Sequence, residues 1–269
     1  MPELPEVETT RRGIAPWMLN QRITAIRVRQ PRLRWQVPDE VISLRNQTVL
    51  AVERRGKFLL ITLPRGQLLL HLGMSGSLRV LSRTVPPGPH DHVDILLDNG
   101  RLVRFNDPRR FGALLWTPTP GEHALLSRLG PEPLSPSFSG DYLYQRSRQR
   151  RVSVKPFIMT NGIVVGVGNI YAQESLFMAG IHPSRQAGKI SRERYERLAE
   201  AIRQVLSRAI EAGGTTLKDF IRTDGQPGYF SQSLAVYGRA DEPCLKCGRP
   251  LKSERHGQRS TVWCGHCQR

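Results

Sequence analysis

The chain changes its hydrophobic period once, and that change limits what it can fold into. Eight short runs rich in Val, Ile, Leu and Phe lie before Thr117: Arg22–Arg29, Val49–Arg54, Phe58–Leu63, Gln67–Leu72, Ser77–Leu81, Val93–Leu97, Leu102–Asn106 and Ala113–Trp116. Turn signals such as Pro64-Arg65-Gly66 and Asp98-Asn99-Gly100 separate them. Runs this short and regularly spaced predict an antiparallel β-sandwich. The pattern stops at Thr117–Ser139, where Pro118, Pro120, Pro131, Pro133 and Pro136 mark a linker, with room for a short helix over Gly121–Leu129. Beyond it the pattern is helical, over Asp141–Arg151, Asn169–Ala179 and Ser191–Ala212. Asn169 suits an N-cap and Gly180 a helix end. Tyr195, Leu198, Ile202, Val205, Leu206 and Ala209 keep the helical period. A further helix, Pro5–Trp17, precedes the strands and places Val7, Ile14 and Met18 on one face. The fold class is therefore α+β.

Charge narrows the partners. The 269 residues carry 40 Lys+Arg against 23 Asp+Glu, a net +17. Residues 1–135 contribute +7 and the remainder +10, so both halves are basic. That distribution suits a polyanion, and nucleic acid before a membrane surface, because no run resembles a spanning helix or a signal peptide. A cytoplasmic, reducing setting follows as an expectation. There, Cys244-x-x-Cys247 and Cys264-x-x-Cys267 read as a zinc ribbon rather than two disulfides. Four thiolates leave no open position, so the zinc is structural and pins a hairpin too small to hold itself. Lys246, Arg249, Lys252, Arg255 and Arg259 fill that segment, as a phosphate-binding finger or as an ordinary solvated surface.

Several local features suggest chemistry. Trimming of Met1 would leave Pro2 as a secondary amine beside the carboxyl of Glu3. An α-amino group titrates near ~8, so part of it is neutral and nucleophilic at cellular pH. It could hold a sugar carbon as an iminium while the carboxyl moves protons. Alone, the plainer reading of a stiffened, disordered start is favoured; an anchored helix after it argues otherwise. Gly166-Val167-Gly168-Asn169 before a helix could approach phosphate, though a tight turn fits as well. Met74 and Phe111, flanked by glycines, could wedge between bases, but core filling is the commoner role. Lys57 at a strand mouth is more often a solvated edge lysine, and His71 and His90 more often structural.

Taken together these pieces resemble one family, bacterial formamidopyrimidine-DNA glycosylase (8-oxoguanine DNA glycosylase/AP lyase). The resemblance rests on Pro2-Glu3-Leu4-Pro5-Glu6-Val7-Glu8-Thr9, His71-Leu72-Gly73-Met74-Ser75-Gly76, Asp107-Pro108-Arg109-Arg110-Phe111-Gly112 and Val165-Gly166-Val167-Gly168-Asn169-Ile170-Tyr171-Ala172. It continues through Gly213-Gly214-Thr215-Thr216-Leu217, Pro227-Gly228-Tyr229-Phe230, the cysteines and Gln268-Arg269, so it runs essentially end to end. The resemblance implies a β-sandwich domain over 1–130, a helix-two-turn-helix domain over 131–234 and a four-cysteine zinc finger over 235–269, with DNA in a basic cleft. It implies a bifunctional glycosylase and lyase that excises oxidised purines and cuts the abasic strand, acting as a monomer. By position, Pro2 is the nucleophile, Glu3 the general acid/base, Lys57 an aid to elimination, and Arg259 a phosphate ligand that assists δ-elimination. His71, His90, Arg109, Arg150 and Asn169 match DNA-contacting positions, and Met74, Arg109 and Phe111 those that fill the gap left by an everted base. The loop Thr216–Tyr229, with Lys218, Arg222 and Gly225, would cap that base. The alternatives are a sister endonuclease VIII-like enzyme for oxidised pyrimidines, whose start reads differently, and a non-catalytic zinc-ribbon DNA-binding protein.

Overall fold

The computed structural model describes residues 2–214, 233–256 and 258–269. The capping loop expected over 216–229 therefore lies outside the described residues, as do the motif residues after Gly214, the motif at 227–230 and the hairpin residue Gly257. The chain divides into two compact units, one built on residues up to Ser127 and the other on Arg128–Glu211 with the C-terminal segment through Arg269.

The first unit begins with α1 (Leu4–Met18), which starts on a capping box. Glu3 is the N-cap, and its backbone N–H donates to Glu6 Oε2 at 2.8 Å. Val7, Ile14 and Met18 are buried, so the expected face is the packed one. The strands are β1 (Arg22–Val28), β2 (Gln47–Thr48), β3 (Ala51–Arg55), β4 (Phe58–Leu63), β5 (Gly66–His71), β6 (Ser77–Ser82), β7 (Asp91–Leu97), β8 (Arg101–Asn106) and β9 (Ala113–Thr117). They form two antiparallel sheets, ordered β2-β1-β7-β8-β6 and β3-β4-β5-β9. Residues from both sheets and from α1 share one apolar core that includes Leu59, Leu70, Ile95 and Phe105. β7 is central in its sheet and buried along its whole length. A short helix α2 (Ala124–Ser127) ends the unit.

The second unit contains α3 (Gly140–Ser147), α4 (Val154–Ile158), α5 (Asn169–Ala179) and α6 (Arg192–Glu211). Ser139 Oγ caps α3 by accepting from Tyr142 N–H at 3.0 Å. Consecutive turns join α4 to α5, which gives the helix-two-turn-helix arrangement. α5 is apolar or neutral nearly all round and is buried from Ile170 to Phe177, so it is the unit's central element. One expectation is corrected: the N-cap of α5 is Gly168, in extended conformation, and Asn169 is the first helical residue. Gly180 closes the helix in the left-handed region at φ 68°, as expected. β10 (Lys252–His256) and β11 (Arg259–Trp263) form the C-terminal hairpin. No described helix is long and apolar enough to cross a membrane.

Candidate active site and nucleic-acid interface

In the first unit, Pro2 is buried and Glu3 is 2% exposed. They are fixed in place, because Glu3 heads α1 and Glu6, fully buried, locks it there. Glu8 extends the anchoring. It accepts from Arg11, Arg12 and Arg54, and Arg54 also donates to the Gly56 carbonyl at 3.0 Å. Burial works against charge on Glu8, but these guanidiniums outweigh it and hold the carboxyl below its usual range. The chain Glu8–Arg54–Gly56 ties the helix that starts after Pro2 to the β3–β4 turn that carries Lys57. Lys57 is half-buried there.

His71 ends β5 opposite Phe58, with ring centroids 4.9 Å apart. Burial, then the charges of Lys57 and Arg34, push its pKa down to about 4. Its Nδ1 accepts from Gly73 N–H at 2.9 Å, so the neutral ring carries its proton on Nε2 and presents a donor.

Two loops follow, at 72–76 and 107–112, and Asp107 welds them. This carboxylate is fully buried. It accepts from Ser75 Oγ at 2.7 Å and from Gly112 N–H at 2.7 Å, while Ser75 Oγ accepts from Arg109 N–H at 3.2 Å. Its backbone takes part as well: Asp107 N–H donates to the His90 carbonyl at 3.0 Å, and His92 Nε2 lies 2.8 Å from the Asp107 carbonyl. The loops touch back to back, since a Cβ on Gly73 would stand 2.4 Å from Gly112 N. Held this way, Met74 is 37% and Phe111 44% exposed, which overturns the core-filling reading. The Arg109 guanidinium lies over the Phe111 ring at 5.1 Å. Three large side chains thus project from one braced platform. His90 is exposed at the end of a loop held by the buried Arg104, which grips Asp94 with two bonds and donates to the carbonyls of Val85 and Pro86.

In the second unit, Asn169 meets the hairpin edge one residue past Arg259: its Nδ2 donates to the Ser260 carbonyl at 3.2 Å. Arg259 and Arg150 are exposed. Arg259 also lines an open cavity of about 530 Å³ with Lys155, Pro156, Met159, Ser153 and His256. Lys155 is 1% exposed and donates to Thr261 Oγ1 at 2.6 Å, a contact that no local pattern announces.

The four cysteine sulfurs lie within 4.8 Å of one another, with Cys244–Cys267 at 4.0 Å and Cys247–Cys264 at 3.5 Å. The edge of a Zn–S tetrahedron is about 3.8 Å, so the set fits one structural zinc. Burial disfavours charge on Cys264, yet the N–H groups of Cys267 and His266 and the nearby thiols bring it down to about 7. Cys267 is pushed up to about 12, by burial and then by the other thiols. Four thiolates within 4.8 Å of one another would repel strongly, and a cation at their centre offsets that repulsion. Glu174 braces the entrance to this module, accepting from the N–H groups of Ala235, Val236 and Tyr237 at 2.8–2.9 Å.

Comparison with known proteins agrees with this geometry. Family profiles match the formamidopyrimidine-DNA glycosylase N-terminal domain over residues 1–114, its H2TH domain over 129–221, and the zinc finger found in FPG and IleRS over 241–269. A formamidopyrimidine-DNA glycosylase of Alcanivorax borkumensis is 63% identical over 269 residues, covering all of both chains. The crystal structure of the MutM (FPG) protein of Thermus thermophilus is 40% identical, with a TM-score of 0.90 over 99% of this chain and 98% of that one. A mutant of Lactococcus lactis FPG, in complex with a Fapy-dG containing DNA, is 30% identical with a TM-score of 0.91 and full coverage of both. With this identity over its whole length and the same three parts in the same order, the chain belongs to the formamidopyrimidine-DNA glycosylase family.

Proposed function

We propose that this enzyme excises oxidised purines, 8-oxoguanine and formamidopyrimidines, from duplex DNA and then cleaves the abasic strand. The observation that carries the reading is the head of α1, where Pro2 and the 2% exposed Glu3 are fixed side by side. After Met1 is trimmed, the Pro2 nitrogen bonds to C1′ of the damaged nucleotide, and the base departs with the glycosidic electron pair and a proton. Glu3 relays protons as the sugar ring opens and the Schiff base forms. The iminium acidifies the C2′ hydrogens. Loss of one drives β-elimination of the 3′ phosphate, and a second elimination releases the 5′ phosphate. Lys57 assists elimination and contacts phosphate, and Arg259 holds phosphate for the δ step.

Reaching C1′ requires the nucleotide to leave the stack, at a cost of a few kcal/mol. Met74, Arg109 and Phe111 offset part of that cost by filling the gap, with Arg109 facing the orphaned cytosine. His71, through its Nε2–H, and His90, Arg150 and Asn169 hold the backbone. A chain at +17 binds largely by counterion release, so affinity falls steeply with salt. The bound Fapy-dG DNA of the Lactococcus lactis relative supports a purine lesion over an oxidised pyrimidine. We assign the functional division 1–130, 131–234 and 235–269, and the bacterial cytoplasm as the place of action.

Borohydride trapping on an 8-oxoguanine duplex tests this reading. We expect a covalent adduct at Pro2 and faster turnover on 8-oxoguanine than on thymine glycol. No adduct, or an unchanged rate after the amine is blocked, would overturn it.

A further inference from the structure

β11 pairs only with β10 among the described residues, so its other edge offers the Ser260 carbonyl and the Val262 N–H to whatever lies beside it. A bare edge is costly in a buried place. Three side chains reach the Ser260 carbonyl, from Asn169, Lys155 and Gln173, but among the described contacts Gln173 alone serves both groups. Gln173, on α5 and 1% exposed, donates from Nε2 to the Ser260 carbonyl at 3.1 Å and accepts at Oε1 from Val262 N–H at 2.6 Å. A second Nε2 hydrogen reaches the Asn169 carbonyl at 2.9 Å, one helical turn back. A carboxamide has the donor and acceptor of a peptide group, so Gln173 pairs with β11 as a strand of one residue would.

We propose that Gln173 is a positioning residue for the reaction, setting the register of β11 against α5 and so fixing where Arg259 stands. Arg259 adjoins Ser260, whose carbonyl takes bonds from both Gln173 and Asn169, so the residue before it has little freedom to slide. The hairpin's own apolar core is too small to supply that precision. Among side chains of this length only an amide can serve both β11 groups: a leucine serves neither, and an ionised glutamate sets a second oxygen against the Ser260 carbonyl.

The inference rests on the reading of Arg259 as the phosphate ligand of the δ step, and the test separates the two. The full-length protein acts on an abasic-site duplex, and the ratio of δ- to β-elimination product is compared with wild type at each pH. Arg259→Ala establishes the assay, with an expected fall of about tenfold, the scale on which supporting partners act. If that variant keeps the wild-type ratio, the reading of Arg259 fails and the inference falls with it.

Gln173→Glu is the decisive variant. At pH 8 its ratio is expected to fall about tenfold, on the same scale. It should recover as pH drops, because a protonated carboxyl regains an O–H donor beside a carbonyl acceptor; burial raises the pKa of such a group, and the Lys155 ammonium, 3.5 Å from the same Ser260 carbonyl, works against that rise and keeps the group ionised at pH 8. Gln173→Leu should stay low at every pH. Should the leucine variant fail to fold, the pH recovery of the glutamate variant decides alone. A wild-type ratio in Gln173→Glu, or a deficit indifferent to pH, would overturn the inference while leaving Arg259 in its role.

Discussion

The platform of the first unit that carries Met74, Arg109 and Phe111 and the zinc hairpin of the second both present exposed side chains, yet they are held by opposite means. The platform stands on a sandwich whose core includes 23 buried apolar residues. At roughly 1.5–3 kcal/mol for each large side chain removed from water, that core needs no metal. Its finer placement comes from one buried carboxylate, Asp107, shared by two loops. Among the described residues the hairpin shares a core of six buried residues with α5, two of them cysteines. It is held instead by four thiols suited to zinc and by the polar side chains of α5. The contrast teaches that positional precision at the protein surface can come from depth of burial or from saturated polar bonding.

The sharpest way to break this comparison is to remove the metal. Chelation, or Cys264→Ala, should cost the hairpin on the order of 10 kcal/mol of metal-linked stability. Amide exchange along β10 and β11 should become fast and DNA binding should vanish, while the first unit melts unchanged. Intact DNA binding by Cys264→Ala would erase the contrast. Next comes Asp107→Ala, which strands Ser75 Oγ and Gly112 N–H. A loss of about 3 kcal/mol is expected from two buried donors left without an acceptor, read as a lower urea midpoint for the first unit. A loss below about 0.5 kcal/mol, the range of an ordinary surface change, would show that the core alone holds the loops.

The third test is acid. His71 stays neutral in the folded chain down to about pH 4, whereas an unfolded histidine takes up its proton near ~6.5. The unfolded state therefore binds more protons between these values, and stability falls as pH drops through that window, by up to about 3 kcal/mol. Above the window the two states are equally neutral and nothing is lost. His71→Phe should flatten this part of the pH–stability curve, and an unchanged slope would refute the assignment. The smallest effect belongs to Glu174→Gln, which weakens three charge-assisted bonds at the entrance to the zinc module. A loss of about 1–2 kcal/mol is expected, visible as faster exchange at Val236 with zinc still bound.

What the sequence made legible was local. Strand runs between turn signals appear within a residue or two, as in Phe58–Leu63, because their period and their punctuation sit in the same few residues. The zinc set was legible because two Cys-x-x-Cys pairs carry their own geometry. Opaque features depended on partners far along the chain. Asp107 reads as an ordinary loop acid until Ser75, 32 residues earlier, is placed beside it. Gln173 meets Val262 across 89 residues. The exposure of Met74 and Phe111 could not be read from hydrophobicity, since an apolar side chain faces outward only if the loop beneath it is braced. The cap of α5 fell to Gly168, whose backbone is extended, one residue before Asn169, whose amide donates to the Ser260 carbonyl.

The contact between Gly73 and Gly112 has a practical corollary for genetics. Any side chain at Gly73 would strike the opposite loop, and one at Gly112 would stand 2.5 Å from the Phe105 ring. A random mutagenesis screen scored on mutator phenotype should thus recover both positions repeatedly. Such alleles would masquerade as lost nucleotide contacts, although neither glycine has a side chain with which to touch a nucleobase.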